Sequence, residues 1–343
     1  MPPSNQAVAV IGRGRGQVKP RLGISSLLTT DHSFRQAASG TPDLSPERYK
    51  RLKTVLDQAI TAKPRPTHLL LPELALPERW IDTVSGLLRD AGISLVAGVD
   101  YHINGSHIHS EAVLVLSDDR LGFPSAVQIR QPKALPAAGE EETLLKVFGK
   151  AWQPSVIGRT KPVYVHQGLC FGVLVCSELQ NIGHRQRFQG QVDCVMVLSW
   201  NQDLKTFAAL VESASLDVHA HIALVNNRRY GDSRVRSPAK AHHARDVCRL
   251  RGGENEHVVV VDWKSNACAP FRAGTIAGRQ RMTRTSPRPK AFASRSTDER
   301  YRASAAARRQ RARPAKFCLQ NGKTLRASTA APMSATISSR LSE

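Results

Sequence analysis

Between residues 21 and 264, short β-branched apolar runs alternate with longer stretches of helical periodicity. A chain patterned this way is restricted to α/β architectures, because each run must bury its faces against elements of the other kind. The spacing predicts strands at Leu22–Leu28, His68–Leu71, Ile93–Ala97, Ala112–Leu116, Ala126–Ile129, Val163–His166, Phe171–Val175, Cys194–Leu198, Ile222–Val225 and Val258–Val261. It predicts helices over 46–62, 77–91 and 203–220. The first opens with Pro46 and Glu47 after Ser45, a helix-start signature. The third places Leu204, Phe207, Ala208, Val211, Ala214, Ser215 and Val218 on one stripe. Ten strands against three clear helices is more sheet than a single doubly wound layer needs. The longest apolar runs, such as Leu69–Leu71 and Val258–Val261, fall far short of the ~20 residues of a membrane span. No membrane partner is therefore expected.

Charge divides the chain. The formal net charge of +21 would usually point to a nucleic-acid partner. Residues 265–343 hold 14 Arg and 3 Lys against Asp298, Glu299 and Glu343, so +14 of the charge belongs to them. That segment is rich in Arg, Ala, Ser, Thr and Pro and is expected to be disordered. Its few aromatics, Phe271, Phe292, Tyr301 and Phe317, would limit any nucleic-acid contact mostly to phosphate, and a non-functional extension reads equally well. Residues 1–20, with Gly12-Arg13-Gly14-Arg15-Gly16, are expected to be irregular. The expected organisation is thus an irregular segment 1–20, a folded domain 21–264 and a basic tail 265–343. The start Met1-Pro-Pro-Ser-Asn carries no signal-peptide apolar stretch, and six cysteines without a CxxC pair fit a reducing cytoplasm.

Three apolar runs end in a residue able to do chemistry. Leu69-Leu70-Leu71-Pro72-Glu73 delivers a carboxylate after a proline expected to stop the ladder. Ala126 to Pro132 runs into Lys133. Phe171-Gly172-Val173-Leu174-Val175-Cys176-Ser177-Glu178 ends in a cysteine at a strand-to-loop elbow. Each has a bland reading taken alone: a surface glutamate opening a loop, a solvated lysine, a buried structural cysteine. Together they supply what a thiol nucleophile needs, namely a base for its proton and a cation or N–H donors for the oxyanion of a tetrahedral intermediate. His184, His219, His221, His242 and His243 show no ligand spacing, and no metal or cofactor is expected.

The order of the three, Glu then Lys about 60 residues on and Cys about 40 after that, resembles the carbon–nitrogen hydrolase (nitrilase) superfamily. Leu135-Pro136 and Gly139-Glu140 after Lys133 resemble its Lys motif, and Val192–Trp200 resembles the strand after its Cys elbow. Asn226-Asn227 and Gly231-x-Ser233 up to Pro238 resemble its later Asn and Gly-x-Ser segments. The resemblance covers about 21–264. It implies a four-layer α-β-β-α sandwich, assembled as a homodimer or higher oligomer through the helix after the Cys elbow. It implies Glu73 as general base, Lys133 as oxyanion stabiliser, Cys176 as nucleophile and the Ser177 backbone N–H as a second oxyanion donor. A further glutamate would be Glu140 or Glu141, with Glu140 preferred. The nearby cation of Lys133 would favour the Cys176 thiolate. Glu178, Trp200, Asn201 and Asn226 would shape the substrate pocket. The substrate would be a small amide, carbamoyl compound or nitrile. Cys176-Ser177-Glu178 departs from the Cys-aromatic-Asp of many relatives, which puts ordinary ω-amide and nitrile substrates in doubt. Pro72–Trp80 with Gly98-Val99-Asp100-Tyr101 resembles nitrilase-like domains associated with bacterial reverse transcriptases in phage-defence loci. On that resemblance, a binding or signalling module is the alternative to an enzyme.

Overall fold

The computed structural model describes residues 8–11, 19–155 and 157–262. The tail 265–343 and the predictions that rest on it lie outside the described residues. The chain builds two mixed sheets. In the first, β2 (Arg21–Ser26), β3 (His68–Leu76), β4 (Ser94–Asn104), β5 (His107–Asp118) and β6 (Ser125–Pro132) lie side by side in chain order. Strand β14 (His257–Asp262) closes its far edge against β2, and the short β7 (Ala151–Trp152) pairs with β5. The second sheet runs β1 (Val8–Ile11), β8 (Val163–His166), β9 (Leu169–Val175), β10 (Cys194–Ser199), β11 (His221–Asn226), β12 (Ser233–Arg236) and β13 (Asp246–Leu250). Val8–Ile11, expected to be irregular, is an edge strand parallel to β8.

The period-two alternation sorts the layers. On β3 and β4, Leu69, Leu71, Leu95 and Ala97 pack on helices α2 (Pro46–Thr61) and α3 (Ile81–Asp90) through Leu52, Val55, Leu56, Val84 and Leu88. Their strand neighbours Leu70 and Val96 join the other core, shared with Val173, Val175, Met196 and Leu198 of the second sheet. Helices α5 (Ile182–Phe188) and α6 (Leu204–Val218) cover that sheet's outer face with Phe188, Phe207, Val211 and Val218. Gly172 on β9 is required there, because a Cβ would meet the Phe188 ring at 2.4 Å. The result is the four-layer α-β-β-α sandwich. Two further helices, α1 (Asp31–Ser39) and α4 (Glu140–Phe148), stand at one end of the sheets and were not legible as periodic stripes. No helix among the described residues is long and apolar enough to cross a membrane.

One polar chain threads the space between the sheets. His68 Nε2 lies 2.9 Å from His166 Nδ1, and His166 Nε2 lies 2.7 Å from the Ser117 carbonyl. A carbonyl only accepts, so His166 carries its proton on Nε2 and accepts from His68 Nε2–H. Both rings are then neutral. Burial holds both below the ordinary histidine range, most strongly His68. Burial also lowers His109 and His184, and brings His221 to about 4. Unfolding exposes rings that take up protons below about pH 6.5 while the folded rings do not, so stability must fall as the pH drops. Glu73 and Asp100, both raised by burial, oppose this, against five histidines. We expect urea unfolding to report a loss of at least about 1 kcal/mol between pH 6.5 and 5.5. A flat profile over that interval would contradict neutral buried rings.

Candidate active site

The base candidate sits on a break in a strand. Strand β3 does not stop at Pro72 as expected; it continues to Leu76, with a register shift against β4 between Leu71 and Leu76. Proline removes one ladder donor, and the chain accommodates this as a bulge. Leu74 takes φ +56, a left-handed conformation that is costly for a branched side chain. Its carbonyl is held by Arg48 Nη2 at 3.0 Å and by the Thr29 hydroxyl at 3.2 Å. Arg48 is itself buried and forms a two-pronged pair with Asp100, at 2.7 and 2.9 Å. Asp100 entered the sequence reading only within the Gly98–Tyr101 motif, and Arg48 not at all. The available signal was an arginine on the apolar stripe of α2, one turn before Leu52.

Gly98 on β4 makes room for the bulge. A Cβ there would lie 2.4 Å from Glu73 Cα and 2.7 Å from the Pro72 carbonyl. Backbone atoms on both sides must shift to admit one methyl group. We expect Gly98→Ala to destabilise the fold by about 1–3 kcal/mol in urea unfolding and to displace Glu73. A variant with wild-type stability would show that the bulge yields freely.

Lys133 follows β6 and is fully buried. Its ammonium donates to Glu73 Oε1 at 3.1 Å and to Glu140 Oε2 at 2.8 Å. An ammonium has three donors, so these two partners leave one for an incoming oxygen. Of the two glutamates in question, Glu140 makes this contact and Glu141 is exposed. Glu140 opens α4 after Gly139, whose φ of +78 makes the turn. Its carboxylate also accepts from Ala137 N–H at 2.6 Å and from the Tyr101 hydroxyl at 2.7 Å.

Cys176 follows β9 and opens a 3-10 turn at φ +46, a strained elbow that turns the chain out of the strand direction. Ser199 Oγ lies 3.5 Å from its sulfur, and the Trp200 backbone N–H also reaches it. The thiol and the Glu73 carboxylate influence each other electrostatically, the thiol favouring the charged carboxylate. Ser177 is the first residue after the elbow, within a 3-10 turn whose leading N–H groups have no partner inside the turn.

Electrostatics revises one expectation. Burial and the charge of Glu73 push the Cys176 thiol up to about 12, although Lys133 and Ser199 pull the other way. The thiol is therefore protonated at neutral pH, because desolvation outweighs the nearby cation. Burial likewise raises Glu73, with Lys133 opposing and the Glu140 charge adding to the rise. Burial would raise Glu140 too, but Lys133 and the Ala137 N–H hold it below the ordinary carboxylate range. Burial by itself would depress Lys133, and the Glu73 and Glu140 carboxylates more than reverse this.

These groups open on a cavity of about 450 Å³. Its wall includes Phe34, Tyr101, Trp200, Asn201, Gln202 and Tyr230, together with Glu73, Lys133, Glu140 and Cys176. Phe34, unremarked in the sequence, stacks edge-on against Tyr101 and Trp200. Of the four pocket candidates, Trp200 and Asn201 line this cavity. Glu178 and Asn226 do not line the cavity. Asn226 stands behind it, its amide bonding the Asn201 N–H, the Asn201 carbonyl and the Gly231 carbonyl at 2.8–2.9 Å. The Glu178 carboxylate faces backbone N–H groups and Lys161 instead of the cavity.

No family model and no curated protein matches the chain. Solved structures do. A CN-hydrolase superfamily protein from Xanthomonas campestris, with an arsenic adduct in its active site, is similar at 14% identity with a TM-score of 0.51, over 78% of this chain and 99% of that one. A cysteine mutant of an amidase of the nitrilase superfamily from Nesterenkonia is similar at 17% identity and TM-score 0.51, over 78% of this chain and all of that one. A glutamate mutant of that amidase, bearing the acetamide moiety of fluoroacetamide on its active-site cysteine, matches at 16% identity and TM-score 0.51, over 79% and 100%. At such identities the likeness speaks to the fold.

Proposed function

We propose that this chain, with the fold of the nitrilase superfamily, is a carbon–nitrogen hydrolase acting on small uncharged amides through a Cys176 thioester. The observation that carries the reading is the convergence of Glu73 on the β3 bulge, Lys133 after β6 and Cys176 after β9 on one cavity. Glu73 takes the thiol proton as Sγ bonds to the carbonyl carbon. A protonated thiol beside a carboxylate whose basicity burial has raised suits that transfer, since general-base efficiency improves as the two proton affinities approach. The third donor of Lys133 and the Ser177 N–H hold the oxyanion. The C–N bond then breaks, and Glu73 returns the proton to the leaving amine. Water, deprotonated by Glu73, hydrolyses the thioester and the thiol is restored. Glu140 keeps Lys133 charged and aimed.

Substrate preference follows from the wall. Its charged side chains are Glu73, Glu140 and Lys133, and Lys133 is already paired twice. A substrate carboxylate would meet no uncommitted cation among the described residues. Aromatic rings and the Trp200 Nε1–H, buried without a partner among the described residues, favour a neutral acyl group with an acceptor atom. The test is ammonia release from butyramide, phenylacetamide, the carboxylate-bearing succinamate and matching nitriles. We expect neutral amides to exceed succinamate by at least about 10-fold in kcat/KM, the cost of one unpaired buried charge being above 1.4 kcal/mol. Absence of ammonia from every compound would end the hydrolase reading.

A further inference from the structure

Glu178 stands two residues past the nucleophile, wholly enclosed, and takes no part in the chemistry described above. Its carboxylate is nevertheless fully engaged. Oε2 accepts the N–H of Val175, the residue before Cys176, at 2.9 Å. Oε1 accepts the N–H of Ala134, the residue after Lys133, at 2.7 Å, and meets Lys161 Nζ at 2.5 Å. One side chain thus ties the backbone beside the nucleophile to the backbone beside the oxyanion lysine, from segments 44 residues apart.

The arrangement is built at some cost. Lys161 is 0% exposed and sits at φ +43, a conformation that lysine rarely adopts. Nearby, a Cβ on Gly158 would lie 2.6 Å from the Pro132 carbonyl and 3.0 Å from the Ala134 backbone, so the 157–161 segment is pressed against the Lys133 loop. A buried ion pair returns little net stability once both desolvation costs are counted. What it does deliver is a fixed carboxylate whose two oxygens have defined partners, which favours geometry over stability.

We propose that the Lys161–Glu178 pair is the positioning element that sets the distance between Cys176 Sγ and Lys133 Nζ. Lys161 Nζ meets Oε1 of Glu178 inside an enclosed site, and the Glu178 carboxylate accepts from two backbone N–H groups, so the pair anchors both segments. This rests on the reading of Lys133 as the oxyanion donor. It predicts that the pair controls how well an electrophile's oxygen and the sulfur are served together, and leaves the intrinsic reactivity of the thiol alone.

Two thiol reagents separate these effects. Iodoacetamide presents a carbonyl oxygen to the Lys133 side of the cavity while its carbon meets Sγ. Methyl methanethiosulfonate reacts at the same sulfur without a carbonyl. The ratio of the two rates at Cys176, followed by peptide mass spectrometry on the full chain, reads the relative placement of Cys176 and Lys133. We expect Glu178→Gln to lower that ratio by about 10–100-fold, the range of a misplacement near 1 Å. Lys161→Met, which keeps the two N–H acceptors, should lower it less. If Glu178→Gln does not fold, Glu178→Asp keeps the charge and shortens the reach by one methylene, and the same fall is expected. A ratio unchanged from wild type in a folded Glu178 variant overturns the proposal. So does an equal loss of both rates, the mark of general loosening. The ratio is measured without turnover, so a failed amide assay beside a fallen ratio would sink the hydrolase reading and leave the positioning role standing.

Discussion

A Cys176→Ala variant is expected to lose amide turnover by at least about 10⁴-fold while keeping its thermal midpoint within a few degrees of wild type. The two halves of that expectation come from different parts of the site. On the proposed mechanism turnover depends on the sulfur, which would bond the substrate carbon with Glu73 as its base. Stability hardly depends on it, because the thiol's polar contacts are weak, at 3.5 Å from Ser199 Oγ, and the backbone strain at φ +46 persists with alanine. Cys176→Ser tests the same point with a hydroxyl, a far weaker nucleophile at neutral pH. The pair of measurements is turnover of the best neutral amide and a thermal melt. Turnover persisting in both variants would remove Cys176 from the chemistry.

Lys133→Met has the broader consequence. Methionine matches the shape of the lysine stem and removes the cation that pairs with both Glu73 and Glu140. Two buried carboxylates are then left facing each other, and breaking a buried ion pair from one side costs about 3–5 kcal/mol. Losing the oxyanion donor should take a further factor of about 10²–10³ from kcat. The destabilisation has a pH signature. Without the ammonium, burial and mutual repulsion raise the folded-state affinity of the two carboxylates for protons above its unfolded value of 4.5. The folded variant then binds more protons than the unfolded chain in mildly acid solution, so its stability rises as the pH falls. Urea unfolding at pH 5.5 and 8.0, taken as the difference between variant and wild type, cancels the histidine contribution common to both. The deficit should be largest at pH 8.0 and shrink at pH 5.5. A deficit independent of pH would mean that Lys133 does not neutralise this pair.

Much of the scaffold was readable before any coordinates. Strands such as Val163–His166 and Cys194–Ser199 fall where their apolar runs place them, because a buried strand needs only a short run of the right residue type. Helices α2 and α6 were equally plain, each carrying a full apolar stripe and a capped start at Ser45 or Asp203. The elements that escaped are short or poorly buried. Helix α4 buries Leu144 alone, strand β13 is mostly exposed, and α1 is polar along most of its length. Such segments are held by their neighbours, and their own pattern carries little signal. Strand β3 shows the reverse case: proline suggested an end, while tertiary pairing with β4 carried the strand through it.

At the site the same division holds. Glu73, Lys133 and Cys176 could be singled out because each closes an apolar run in the sequence. Which partners they meet was decided only by folding. Glu140 over Glu141 depends on the turn at Gly139, and Glu178 turns to backbone N–H groups because Lys161 waits beside them. Arg48 and Asp100 matter through a contact spanning 52 residues. The protonated state of Cys176 depends on how much water the neighbouring layers exclude, a property of the assembled core. The sequence by itself determined the α/β class and the candidate reactive side chains, since local pattern fixes what each segment must bury. Only the tertiary structure decided their pairing, their charge states and the cavity they face, because those depend on distances between segments far apart in the chain.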